Sequence, residues 1–402
     1  MRADPHPATR WIIVAVTSLT LALAAGQITN GFSVFFIPLE TEYGWSRGAI
    51  AFVNTAGLLG VAVGGIVMGA VADRSGIRWI YVLGVAALGL PVLLASQVTA
   101  LWQFYLLYAI AGTLGAGALT APLTALVGSW FRTGAGLALG ITAAVQALGQ
   151  GGVPFATTFL IEGIGWRGAL AVQGLATLAL LPLALLIRRP PPADAASPAA
   201  AAAETRPPIP PNLLVAAMSL AALGCCTCMS VPLMHLVPLI EGRGFSAPQA
   251  GNVLFLMLIA AIGGRVAFGA LADRTAPLFA WFAASAWQTA LVFFFTQVPG
   301  LGGLTFFAMI YGFGYGGVMT GVLVSVSRLV PPSRRAASLG IVLAFAFAGH
   351  GLGGFQGGLF FDLTGSYSAG YLNAVFAGLA NLSILAALIF TLRRRTGSPL
   401  AA

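Results

Sequence analysis

Long apolar stretches alternate with short polar breaks along the whole 402-residue chain. Read from one charged or turn-rich break to the next, twelve stretches reach the roughly 20 residues that a helix needs to cross a bilayer. They cover residues 11–38, 47–72, 79–98, 100–130, 134–161, 166–187, 212–240, 247–272, 277–297, 300–327, 336–361 and 368–392. A transmembrane barrel would show short segments of alternating polarity instead, so the expected architecture is all-α and integral to the membrane. Gly and Pro fall inside many of the spans, which is tolerable where neighbouring helices take up the freed backbone groups. The first stretch follows Arg10 as the core of a signal peptide would, but its apolar run is too long for one.

The segment from Arg188 to Pro211 breaks the pattern, being dominated by Pro and Ala with scattered charge. It reads as an extended linker. It divides the spans six and six, giving an expected amino-terminal bundle over 1–187, a linker over 188–211 and a carboxyl-terminal bundle over 212–402. The halves are copies. A shift of 200 positions superposes Gly69-Ala70-Val71-Ala72-Asp73-Arg74 on Gly269-Ala270-Leu271-Ala272-Asp273-Arg274, and also pairs Pro38 with Pro238, Thr120 with Thr320, Leu139-Gly140-Ile141 with Leu339-Gly340-Ile341, and Glu162 with Asp362. Because six is even, both copies take the same orientation. Parallel repeats of this kind place a site between them near the bilayer midplane.

Composition agrees with the pattern. Apolar residues make up 58% and charged residues 7% of the chain, against roughly 25% charged in soluble proteins. The net charge of +9 does not point to nucleic acid, because the chain has no lysine and its arginines form no basic face. Lipid is the expected surrounding. The ends and the loops on their side carry fifteen arginines, the opposite side only Arg47, Arg167 and Arg243, and Arg265 lies within a span. The positive-inside rule therefore puts both termini in the cytoplasm, in the inner (cytoplasmic) membrane of the cell. Cys225, Cys226 and Cys228 lack the paired motif of a zinc site, and the glycine-rich stretches lie within spans rather than after a strand. No cofactor or metal is expected, and no enzymatic cluster of acids or histidines is present.

Chemistry is expected where a polar residue interrupts a span. Arg265 lies eight residues before Asp273, roughly 12 Å along span 8 from the loop, where a charge is costly. Its copy is Gly65. A planar guanidinium matches a carboxylate with two hydrogen bonds; the alternative is pairing with helix carbonyls or a buried acid, and no Asp or Glu lies deep in any span. His350, mid-way along span 11 and the copy of Gln150, could exchange a proton or bond an anion, or be a neutral histidine bonded to a neighbouring helix. His235 in span 7 reads as interfacial or as part of a gate. Gln27 with Asn30, Thr142 with Gln146 and Gln150, and Tyr311 with Tyr315 form polar stripes that could line a water-filled path or tie helices together. Lining is expected for Asn30, Gln150 and Tyr315, and Phe347 could pack on a short carbon chain or belong to the core. At the loops, Asp73 and Asp273 beside Arg74 and Arg274 could latch the halves in one state, or serve topology alone.

Gly69-x3-Asp73-Arg74-x-Gly76-x-Arg78 resembles the signature loop of the major facilitator superfamily. Gly31-Phe32-Ser33-Val34-Phe35-Phe36 with Gly44-Trp45-Ser46-Arg47, and Trp130-Phe131-Arg132 leading to Leu137-Ala138-Leu139-Gly140, resemble the monocarboxylate transporter family and its bacterial oxalate/formate exchanger relatives. The resemblance implies twelve helices in two repeats, a gating role for Asp73, Arg74, Arg78, Asp273 and Arg274, substrate-anion binding by the helix 8 arginine, and a second basic group near His350. Many family members carry a lysine where Asn30 stands and an aspartate where Ala261 stands, a pair held to relay the coupled proton; both are missing. The expectation is a secondary transporter, one chain as the functional unit, moving a small organic anion such as lactate with proton coupling. Anion exchange of the oxalate/formate type, multidrug efflux and a non-transporting membrane sensor are the alternatives.

Overall fold

The computed structural model describes residues 7–131, 135–188, 209–331 and 334–396, so most of the expected linker lies outside the described residues. The described residues are helical, with no strand among them. Eleven helical segments are long and apolar enough to cross a membrane, and one of these, at Leu137–Leu186, holds 50 residues. At 1.5 Å per residue it would span roughly 75 Å, more than twice a bilayer core. Gly165, at φ 74° and ψ 168°, breaks it into two, a backbone geometry open to glycine and closed to most side chains.

Twelve helices result: α1 (7–43), α2 (Arg47–Ser75), α3 (Ile77–Ala95), α4 (101–129), α5 (135–164), α6 (166–186), α7 (Pro211–Glu241), α8 (Ala247–Arg274), α9 (277–296), α10 (Leu301–Leu329), α11 (Arg335–Thr364) and α12 (Ser368–Thr396). The expected limits are met within a few residues. The largest departure is the first helix, which continues past Pro38 to Tyr43. Pro38 is harmless there, because a new α segment starts at Phe36 and the N–H groups of a first turn have no helical partner.

The duplication is visible in the packing. A methyl group on Gly64 would lie 2.0 Å from the Thr113 carbonyl oxygen, and one on Gly264 would lie 1.8 Å from that of Phe313, 200 positions on. These crossings bring α2 onto α4 and α8 onto α10 backbone to backbone, the close approach that small residues allow in lipid. Hydrogen bonds repeat as well: Asn30 Nδ2 donates to the Gln150 carbonyl at 3.4 Å, and Ser230 Oγ donates to the His350 carbonyl.

Helices from the two copies meet along three seams: α2 against α11, α5 against α8, and α1 against α7. Among the described residues, the hydrogen bonds and ring contacts that cross these seams lie between mid-helix and the end that carries Arg47. They include Thr55 Oγ1 to the Gly351 carbonyl at 2.8 Å, Phe52 against Phe355, Phe155 stacked on Phe255 at 5.4 Å, and Phe36 against His235. The molecule is closed at the Arg47 end.

Gly264→Ala should force α8 off α10 and cost about 2 kcal/mol or more, whereas Gly65→Ala meets open space and should be neutral. Melting temperatures of the two purified variants in detergent check this contrast.

Candidate functional site

The irregular part of α1 sets one wall of the site. Residues Gly26–Asn30 wind as a π-helix and Gly31–Phe35 as a 3₁₀-helix, with Asn30 at the junction at φ −125°. Such a change of winding frees backbone carbonyls and is frequent at functional positions. Here Asn54 on α2 donates to the carbonyls of Ile28 and Thr29 at 2.7 and 3.2 Å, and Ser33 Oγ donates to that of Asn30 at 2.7 Å. Asn30 is fully buried, and its Oδ1 has no hydrogen-bond partner. The Oε1 of Gln150 beside it on α5 is likewise buried and unpartnered.

The second copy supplies the cationic wall. Arg265 follows Gly264, the residue that fixes the crossing of α8 over α10. Its side chain is half-buried, its Nε is fully buried without a partner, and no carboxylate pairs with it among the described residues. Tyr315 lies on α10, which packs closely against α8 at Gly264 and Gly316, and is itself buried. On α11, His350 is buried with Nε2 unpartnered, and Phe347, one turn earlier, is half-buried. An isolated polar atom in an apolar interior is costly unless something bonds it. Four of these side chains each keep one such atom.

Gln150 and His350 both stand beside the seams. The next residue after Gln150 is Gly151, where a methyl group would abut Leu258 and Phe255 of α8, and the next after His350 is Gly351, whose carbonyl takes the Thr55 hydroxyl. The two occupy equivalent places under the closed end. Leu258 lies seven residues before Arg265 on α8, roughly 10 Å along that helix. Asn30 is tied to Gln150 and Ser230 to His350, while Arg265 and Tyr315 stand on the packed helices α8 and α10. No described hydrogen bond joins the Asn30 pair to the Arg265 pair.

Other polar residues of the same stripes serve the scaffold. Gln27 Nε2 turns to α6 and donates to Thr177 Oγ1 at 2.8 Å and to the Gln173 carbonyl at 3.2 Å, and Thr142 takes a hydrogen bond from Ser18. His235 is wedged between Phe36 and Tyr367, with Nε2 at 2.6 Å from the Gly354 carbonyl. The three cysteines are fully buried, and no group of metal-ligating side chains occurs among the described residues.

At the end that carries the termini, Arg78 donates to the carbonyls of Ala184 and Leu185 at 3.0 and 3.1 Å. Asp273 pairs with Arg328 of α10. Neither contact crosses between the copies. Arg274 is exposed; the side chains of Asp73 and Arg74 lie outside the described set.

Sequence reasoning missed three residues. Asn54, which holds the rewound part of α1, had no signal beyond being polar within a span. Arg47 stood in the Gly44-Trp45-Ser46-Arg47 motif and Asp362 opposite Glu162 in the repeat, but nothing in the sequence paired them, and they join the copies: Asp362 accepts the backbone N–H groups of Arg47 and Gly48 at 2.8 and 2.7 Å.

The family model described as Major Facilitator Superfamily matches residues 17–323. Monocarboxylate transporter 13 of Rattus norvegicus is 25% identical over 385 residues, 93% of this chain and 88% of that protein. Monocarboxylate transporter 13 of Bos taurus is 27% identical over 386 residues, again 93% of this chain and 88% of that protein. A bacterial homologue of the human lysosomal transporter Spinster, solved in an inward-facing and unoccupied conformation, superposes with a TM-score of 0.76 at 16% identity, covering 98% of this chain and 99% of that one.

Gln27→Leu should lower stability by about 1–2 kcal/mol, because Thr177 and the Gln173 carbonyl lose their shared donor. Asn30→Ala loses only the long 3.4 Å bond to the Gln150 carbonyl and removes an Oδ1 without a protein partner, so it should leave the melting temperature within a few degrees of wild type. Thermal unfolding of both purified variants tests whether the two side-chain amides on α1, Gln27 and Asn30, divide into scaffold and site in this way.

Proposed function

The chain belongs to the Major Facilitator Superfamily, and from that premise we propose that it carries a small organic anion, a monocarboxylate such as lactate, across the cytoplasmic membrane by alternating access. Membership makes it a multi-pass membrane transporter and not an enzyme. The observation that carries the anion reading is Arg265: a permanent charge inside a membrane helix, with a buried Nε and no carboxylate partner among the described residues. Such a charge needs a counter-charge, backbone carbonyls or a water-filled cavity beside it and marks a substrate or ion path by default. A carboxylate meets both donors of one guanidinium edge, and the names of the relatives point the same way.

In this reading Arg265 anchors the carboxylate and Tyr315 and His350 flank it. Asn30 and Gln150 face the rest of the molecule from the other copy, and Phe347 offers apolar surface to a short carbon chain. The two bundles over 1–187 and 212–402 rock about the site. With the termini in the cytoplasm, the Arg47 end is external, and the described state is closed to the outside. Asp73, Arg74, Arg78, Asp273 and Arg274 would then meet only when the cytoplasmic end shuts, consistent with Arg78 and Asp273 bonding within their own copies here. A single chain suffices for the cycle.

Proton coupling is assigned to His350. Asn30 and Ala261 cannot relay a proton, and His350 is the titratable group left at mid-depth beside Arg265's half of the site. The second reading, exchange of one anion for another, is favoured by that same lack of a Lys/Asp relay. Efflux of hydrophobic cations is disfavoured, because the described carboxylates Glu40, Glu42, Glu162, Glu241, Asp273 and Asp362 all stand at helix ends.

Arg265→Lys keeps the charge and loses the fork, so lactate uptake into proteoliposomes should fall tenfold or more while the protein still purifies folded; unchanged uptake contradicts the site. An acid-outside gradient should accelerate uptake in wild type and not in His350→Gln. A strict requirement for internal anion, with no response to the gradient, selects exchange.

A further inference from the structure

The seam between α2 and α11 differs from its copy in chemistry. At the start of α2, the backbone N–H groups of Arg47 and Gly48 have no helical acceptor, and they carry the positive end of the helix dipole. Both donate to Asp362, one to each carboxylate oxygen, at 2.8 and 2.7 Å. The Arg47 side chain, 9% exposed, adds a second tie across the same seam. Its Nε and Nη2 hold Glu40 of α1 at 3.0 and 2.9 Å, its Nη1 donates to the Tyr367 hydroxyl at 2.9 Å, and its guanidinium lies 3.9 Å from the Phe361 ring centroid.

The equivalent seam, α5 against α8, has none of this. The shift of 200 puts Ala247 where Arg47 stands and Glu162 where Asp362 stands. The start of α8 is capped from within: Ser246 Oγ accepts from the Gln249 backbone N–H, and Gln249 Oε1 accepts from that of Ser246. Glu162 is exposed and bonds nothing there among the described residues. This seam is closed by apolar packing, the stacked pair Phe155 and Phe255 with the close glycine contacts at Gly151 and Gly251, none of which is a charged bond.

We propose that Asp362 and Arg47 are the latch that holds the Arg47 end of the transporter shut, and that they set how often that end opens. Opening there requires pulling the Asp362 carboxylate off two backbone donors and separating Arg47 from Tyr367 and Phe361, while the sister seam parts apolar contacts. Asp362 acts as a positioning residue for the transport cycle. It touches no substrate, and it works through the N-terminus of α2.

Spin labels on Thr41→Cys and Ser366→Cys, two exposed positions on opposite sides of the seam, report its width by double electron–electron resonance on the full chain in nanodiscs. The native cysteines are fully buried and stay unlabelled. The wild-type pair should give mainly the short distance. Asp362→Ala and Arg47→Gln should each raise the long-distance population about fivefold or more, and Glu162→Gln should not change it. Asp362→Asn, which keeps one acceptor, should fall between and serves where Asp362→Ala does not fold. Unchanged distances in folded Asp362 and Arg47 variants, or an equal shift in Glu162→Gln, overturn the latch. The readout needs no substrate, so its failure and that of the anion reading are separate results.

Discussion

A guanidinium inside a lipid-surrounded bundle needs a partner, and Arg265 has no protein carboxylate to serve as one among the described residues. By insertion scales such a charge costs roughly 2.5–3.5 kcal/mol at the centre of a span. The surrounding structure keeps it there. Gly264 holds the backbone of α8 against that of α10 immediately before Arg265, and Tyr315 stands buried on the same α10. In the proposed reading, a substrate carboxylate compensates that cost from outside the chain.

The scaffold explains where that site lies. Duplicate crossings at Gly64 and Gly264 build two similar halves, and duplicate hydrogen bonds from Asn30 and Ser230 set Gln150 and His350 at matching depths under the closed end. Function comes from where the copies differ. Arginine replaces glycine at one position, histidine replaces glutamine at another, and α1 rewinds through π and 3₁₀ turns where its copy α7 stays α-helical. The same principle separates the two seams, one with a carboxylate capping a helix across the interface and the other with two stacked rings.

Much of this was legible in the sequence. Span number and limits followed from apolar length, and the copy relation followed from one ungapped shift that the packing repeats. Arg265 stood out because a charge in an apolar run has few explanations. The rest was hidden for definable reasons. Gln27 and Asn30 share an α-helical face on paper, but both lie in the π-wound stretch Gly26–Asn30, whose wider turn sends Gln27 to α6 and Asn30 to α5. Asn54 could not be foreseen because the carbonyls it bonds are free only once α1 departs from α geometry. Arg47 and Asp362 lie 315 positions apart, and charges at helix ends are what topology alone would produce.

Thermal stabilisation of the purified wild-type protein by a matched ligand panel tests the central claim most directly: short monocarboxylates, their neutral amides, and hydrophobic organic cations. The account predicts that the melting temperature rises with carboxylate concentration and does not move with amides or cations. Stabilisation by the cations alone, or equally by amide and acid, would contradict a site organised around the charge of Arg265.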